Sequence, residues 1–234
     1  MWETYQKGNL KPNTLRAYHT ILTKFANEFA EKDCHDLTTD EVLSFLNKLT
    51  ENTKQQTKRT RYAHLSSFFN FIRHTIDHTF TNPCDTPMMR KLFRERTITP
   101  WNLIEKQTID EIIFRTANPR NRLILELMAR GGMRIGEVLS LIPEDIHGRK
   151  LVLRDPKSGK EFEYVYIPQK VAERLTAYIR EKGIDPLHRI FPICYETARS
   201  FVIQAGYTVG VLHLRPYDLR RHAATLCIAL RCSY

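Results

Sequence analysis

Arg130-Gly131-Gly132-Met133-Arg134-Ile135-Gly136-Glu137-Val138-Leu139-Ser140-Leu141 joins two apolar helical patterns through a pair of glycines. Upstream, Leu123, Ile124, Leu127 and Met128 recur at three- and four-residue spacing. Downstream, Ile135, Val138 and Leu139 do the same. Glycine takes the left-handed conformation that ends a helix at little steric cost, so the chain breaks at the glycines and restarts at Arg134. A lone arginine at a helix start is ordinarily a solvated surface residue, and only the rest of the chain can give it another role.

Working outward, the helical period dominates. Leu15, Tyr18, Leu22, Phe25 and Phe29 mark one helix from Pro12 to Phe29, with Asn13 or Thr14 as its cap. Thr38 with Glu41 predicts a capping box for a second helix, with Leu37 and Val42 as its hydrophobic staple and Val42, Phe45, Leu46 and Leu49 inward. A third helix, from about Thr53 to Ile76, turns Tyr62, Leu65, Phe68, Phe69 and Ile72 inward and crowds Lys54, Lys58, Arg59 and Arg61 into its first half. Asn82-Pro83 stops it, and a short basic helix from Met88 to Arg96 follows.

The residue before Pro100 is disfavoured from the helical region, which makes 96–106 the linker. A new capping box is expected at Thr108 and Glu111. Period-two alternation comes later: Lys150–Arg154 and Glu161–Pro168 read as strands around the turn Asp155-Pro156-Lys157-Ser158-Gly159-Lys160. Helices follow from about Gln169 to Glu181, from about Tyr195 to Ala205, and from Pro216. The fold class is mainly α with a small antiparallel β-sheet. A helical domain spans 1–95 and a second, mainly helical domain spans 107–234.

The 234 residues are 42% hydrophobic, enough for two modest cores, and carry a formal charge of +10, which favours a polyanionic partner. No run approaches the roughly 18 apolar residues of a membrane span, and residues 1–9 show no signal-peptide core. The reading is a soluble cytoplasmic protein. Its five scattered cysteines are expected as reduced thiols, and with nine dispersed histidines they offer no metal-ligand spacing. Gly131 and Gly136 mimic a phosphate-binding loop, but Glu137-Val138 stand where that loop needs lysine and serine or threonine.

Three blocks stand in order: Met133-Arg134-Ile135-Gly136-Glu137, Pro156-Lys157-Ser158-Gly159-Lys160, and Pro216-Tyr217-Asp218-Leu219-Arg220-Arg221-His222-Ala223-Ala224-Thr225. Together they resemble the catalytic domain of the tyrosine recombinases, the phage integrase and Xer-like family. The N-terminal helices resemble that family's SAM-like core-binding domain, which clamps DNA. The resemblance implies a site-specific recombinase acting on double-stranded DNA, a homotetramer on DNA in full-length form, with no cofactor.

It places Arg134 and Arg220 on the scissile phosphate, where planar guanidiniums match the charge that builds on the non-bridging oxygens. A hairpin lysine would protonate the leaving oxygen. The resemblance points to Lys157, with Lys160 as competitor. Glu137 would buttress Arg134. Adjacent helical residues point about 100° apart, so of Arg220 and Arg221 only one can face the phosphate, and the spacing to Ala224-Thr225 selects Arg220. Tyr217 stands where the family usually has histidine and can donate one hydrogen bond. His222 is offset from the arginine and reads as a helix-face residue. Lys54, Lys58, Arg59 and Arg61 are the expected DNA-facing residues. The family's nucleophilic tyrosine lies further past the second arginine than Tyr234 does, so the catalytic domain is expected to be incomplete at its C-terminus. The alternative is a DNA-binding fragment or decayed integrase that does not cleave.

Overall fold

The computed structural model describes residues 10–94, 103–154 and 161–231. The expected linker centre, Lys157, Lys160 and Tyr234 lie outside the described residues. The chain divides into two compact units, residues 1–99 and 100–234.

The first unit is helical throughout its described part: α1 (Pro12–Glu28), α2 (Thr39–Leu49), α3 (Gln55–Phe71) and α4 (Pro87–Leu92), with a π-turn at Ile72–Ile76. Phe25, Val42, Phe45, Leu46, Leu65, Phe69 and Met89 form its buried centre. The Phe25 ring meets Phe45 and Phe69 edge-on, each at 5.5 Å, an arrangement that suits the aromatic quadrupole. The capping box at Thr38 forms as expected: the Thr38 hydroxyl accepts the Glu41 N–H at 3.3 Å and the Glu41 carboxylate accepts the Thr38 N–H at 3.0 Å.

Two details differ from expectation. α1 begins at Pro12 behind Lys11, with no side-chain cap from Asn13 or Thr14, because a proline already holds the helical φ in the first turn and needs no partner for a missing N–H. The buried stripe centres on Ile21 and Phe25, leaving Leu15 and Tyr18 half-buried. Asn82 ends the α3 excursion from within: its amide donates to the Ser66 carbonyl at 3.2 Å and Asn70 at 2.9 Å, and its oxygen accepts the Cys84 N–H at 2.8 Å. Burial there pushes the Cys84 thiol up to about 12.

The second unit holds α5 (Lys106–Arg115), α6 (Pro119–Gly131), α7 (Ile135–Ser140), β1 (Ile146–His147), β2 (Lys150–Arg154), β3 (Phe162–Tyr166), α8 (Gln169–Lys182), α9 (Tyr195–Tyr207) and α10 (Pro216–Arg231). α5 corrects the reading at Thr108. Its cap is Glu105, and Thr108 lies inside the helix. Starting one turn earlier buries Ile109, Ile112 and Ile113 together and lets Lys106 pair with Asp110 at 2.9 Å, while Glu111 pairs with Arg115 instead.

α6 is the central helix, buried continuously from Leu123 to Ala129. Even Glu126 is inside, held by Arg174 of α8 through two hydrogen bonds of 2.7 and 3.1 Å, which offset the cost of burying its charge. The sheet has the order β1-β2-β3, antiparallel, with Lys150 opposite Tyr166 and Val152 opposite Tyr164. Leu151 and Leu153 are buried on its inner face, against which α6 ends. A Cβ at Gly131 would lie 3.0 Å from Ile167 Cγ2 and 3.3 Å from Val165 Cγ1. The two-residue strand β1 carried too little pattern to be read in sequence.

Gly132 caps α6 with φ of +65°. Alanine there forces a side chain into the left-handed region, so Gly132→Ala should lower stability by about 1–2 kcal/mol. Denaturant melts of the two proteins measure this directly; equal midpoints would show that the cap is unstrained.

Candidate functional site

Arg134 sits at the start of α7 with extended backbone, φ −72° and ψ 146°. Its carbonyl accepts the Val138 N–H at 3.0 Å and opens the helix. Glu137, one turn on, grips the same residue twice: one carboxylate oxygen accepts the Arg134 backbone N–H at 2.7 Å and the other accepts Arg134 Nη1 at 2.5 Å. The Glu137 side chain is 15% exposed and that of Arg134 is 41% exposed. A largely buried carboxylate therefore holds a guanidinium that still reaches solvent.

Arg220 lies in the first half of α10, whose start is tied down by the Asp218 carboxylate accepting the Arg215 N–H at 2.9 Å. α10 packs along α6, and a Cβ at Gly132 would lie 3.5 Å from that of Ala223. Arg134 follows Gly132 by two residues and Arg220 precedes Ala223 by one helical turn. The helix crossing thus brings both arginine positions to one end of the unit. Arg220 is half-buried, and its Nη1 is buried without a hydrogen-bond partner. An orphaned guanidinium nitrogen costs free energy that a bound anion would recover.

The neighbours sort as their helical phase requires. The Arg221 guanidinium lies 4.4 Å over the exposed Tyr217 ring, an i,i+4 cation–π pair. His222 is 5% exposed, so it faces the core rather than an outer helix face. Its Nδ1 lies 3.3 Å from the Ile104 carbonyl, and Nε2 is buried without a partner. Burial, together with Arg130 and Lys106 nearby, holds this imidazole below its usual range, against the opposing effect of the Ile104 carbonyl. Arg130 itself is ion-paired with Asp110.

In the N-terminal unit, α3 begins at Lys54 with no acidic residue in its first turn. Lysines at the positive end of a helix dipole are electrostatically unfavourable unless an anion answers them. Between α1 and α3 lies a groove of about 330 Å³ lined by Thr20, Gln56, Thr57, Thr60, Arg61 and His64. Arg61 Nε and His64 Nδ1 are buried in it without partners. Arg61 was legible in the sequence; His64 was not, although it falls on the same face as Thr57, Thr60 and Arg61 at helical spacing. Lys58 is half-buried and Arg59 exposed. Among the described residues no group of histidine, cysteine and carboxylate side chains could hold a metal ion, and no helix is long and apolar enough to cross a membrane.

Residues 103–229 match the phage integrase family, and residues 1–78 match the phage integrase N-terminal SAM-like domain. The tyrosine recombinase XerA of Saccharolobus solfataricus is 22% identical over 223 residues, covering 92% of this chain and 73% of that protein. The tyrosine recombinase XerC of Roseiflexus sp. (strain RS-1) is 32% identical over 149 residues, 59% of this chain and 46% of that protein. Among solved structures, a lambda integrase (75–356) dimer bound to a COC′ core site aligns with TM-score 0.73 at 18% identity, over 96% of this chain and 86% of that one. A lambda integrase tetramer bound to a Holliday junction aligns with TM-score 0.73 at 17% identity, over 97% of this chain and 68% of that one.

The depressed His222 pKa has a definite sign. The folded chain resists protonating this ring, so the stability it contributes is present above about pH 6.5 and is lost as pH falls below that value. Melting temperatures followed from about pH 7.5 to 5 should drop more steeply for the wild type than for His222→Gln, which can still donate to Ile104. Parallel curves would show that His222 titrates freely.

Proposed function

Because the chain belongs to the phage integrase family of tyrosine recombinases, we propose that it is a site-specific recombinase. In this reading it binds duplex DNA and, in full-length form, breaks and rejoins strands through a 3′-phosphotyrosine intermediate. The observation that carries the reading is the buried, unpartnered Nη1 of Arg220 on a helix packed beside the Arg134 turn. Two guanidiniums converging on a phosphodiester would bind its non-bridging oxygens and stabilise the five-coordinate phosphorus. Glu137 positions Arg134. Tyr217 donates a hydrogen bond to the phosphate in place of an imidazole, and its stacking with Arg221 leaves the hydroxyl free to do so.

Proton transfer to the leaving 5′ oxygen falls to Lys157, with Lys160 as the competing donor. The tyrosine hydroxyl that attacks phosphorus displaces that oxygen, and the reverse attack by a new 5′ hydroxyl reseals the strand, so neither metal nor nucleotide is required. The basic first half of α3, with Lys54, Lys58, Arg59 and Arg61, lies against the DNA backbone and sets affinity and register. The lambda integrase tetramer on a Holliday junction supports a homotetramer as the working assembly.

With the full-length protein, a nicked suicide duplex carrying its recombination site should trap an adduct that survives detergent. Arg134→Ala and Arg220→Ala should each lower its yield by at least about a hundredfold, as removing a charged donor from the transition state does. Undiminished adduct in both variants would remove the arginines from the phosphate. Peptide mapping of the adduct, with Tyr234→Phe alongside, identifies the attacking residue.

Approach of α3 to the DNA backbone is measured separately. Substituting Lys58 and Arg59 by alanine should reduce the slope of log affinity against log salt by about 0.9 for each phosphate that is no longer neutralised. An unchanged slope places that face of α3 in solvent.

A further inference from the structure

The outer face of the small sheet is the one turned away from the end of α6. Alternation along β3 buries none of Phe162, Tyr164 and Tyr166, which are 48%, 57% and 66% exposed. They share one face at every second residue, with Val165 and Glu163 turned the other way. Opposite them in register stand Arg154, Val152 and Lys150, and beyond Lys150 stands His147 of β1. The Lys150 ammonium lies 3.8 Å from the Tyr164 ring centroid. The strand residues of this face are therefore three aromatics, two permanent cations, one histidine and one valine, with no carboxylate. Glu144 and Asp145, just before β1, meet Arg154 from the side.

Exposing three large rings in a row is costly unless something covers them. An aliphatic partner would leave Lys150 and the phenol hydroxyls unpaired. A row of rings spaced roughly 7 Å apart along a strand, edged by cations, matches instead a chain of flat bases joined by phosphates. Duplex DNA presents its bases edge-on and already stacked, so only unpaired bases can lie on these rings.

We propose that the outer face of β2 and β3 is a binding platform for single-stranded DNA. Bases stack on Phe162, Tyr164 and Tyr166, and Lys150 neutralises the backbone, while Arg154 stays paired with Glu144 and Asp145. The Arg134 turn approaches the sheet from its inner side, where Gly131 meets Val165 and Ile167. In a strand-exchanging enzyme the outer face would hold the strand freed by cleavage. That use rests on the recombinase reading, whereas the binding itself does not.

The test is titration of the full chain with a fluorescent oligothymidylate and, in parallel, with a hairpin duplex. Tyr164→Ala and Tyr166→Ala remove exposed rings and should leave the melting temperature unchanged. Each should weaken oligothymidylate binding about tenfold and leave duplex affinity within about twofold. Tyr164→Phe, which keeps the ring, should bind like the wild type. Three results would overturn the proposal: no single-strand binding by the wild type; equal weakening on the duplex, which would make the face a duplex-binding surface; or a wild-type dimer dispersed by Tyr166→Ala, which would make it a self-interface. Loss of adduct formation in Arg134→Ala with oligothymidylate binding intact would separate this surface from the catalytic reading.

Discussion

The left-handed turn at Gly132 is the constraint on which the second unit depends. α6 runs buried through the middle of the unit and has to stop where the sheet and α10 converge. A side chain at Gly131 would press on Ile167 and Val165, and Gly132 bends the chain through a backbone conformation most residues avoid, right beside Ala223. That bend releases Arg134 into solvent one residue before α7 starts. Lengthening the helix through this point would bury the arginine direction. A side chain there would touch Ala223 of α10 at ordinary van der Waals distance, and its cost would lie in the left-handed backbone it has to adopt.

Much of this was legible because the relevant signals are local. Two adjacent glycines between apolar patterns, the Thr38 capping box, the Pro216 helix start and the alternation in β2 each depend on a few neighbouring residues. What sequence could not show depends on long-range packing. Thr108 and Glu111 have capping-box spacing, yet the helix starts at Lys106 because burying Ile109 with Ile112 and Ile113 outweighs a cap. His222 looked like a helix-face residue because its burial comes from Ile104, far away in the chain. At the candidate site, the Glu137 contact with Arg134 was foreseeable from one-turn spacing. The unpartnered nitrogens of Arg220, Arg61 and His64 required coordinates.

The 36 lysines and arginines are placed in two ways. Some are neutralised by carboxylates within the fold, as in the Glu126–Arg174 pair across α6 and α8 and the Asp145–Arg154 pair beside the sheet. The remainder gathers where folding gives it no reason to be: at the positive end of α3, around the orphaned guanidiniums, and along the aromatic row of the sheet. These places are poor for stability in water, and each would improve with a phosphate bound.

The double grip of Glu137 on Arg134 also sets when disorder is lost. A free arginine side chain gives up roughly 2 kcal/mol of rotamer freedom when it is immobilised. With its backbone N–H and one guanidinium nitrogen held by the same carboxylate, Arg134 surrenders much of that freedom as the chain folds. An incoming anion then meets a guanidinium already aimed, and loses less affinity to ordering it. In the proposed reading the arrangement also sets a hierarchy: the nitrogens not bonded to Glu137 would remain for the anion, and recognition would be a matter of angle as much as of charge.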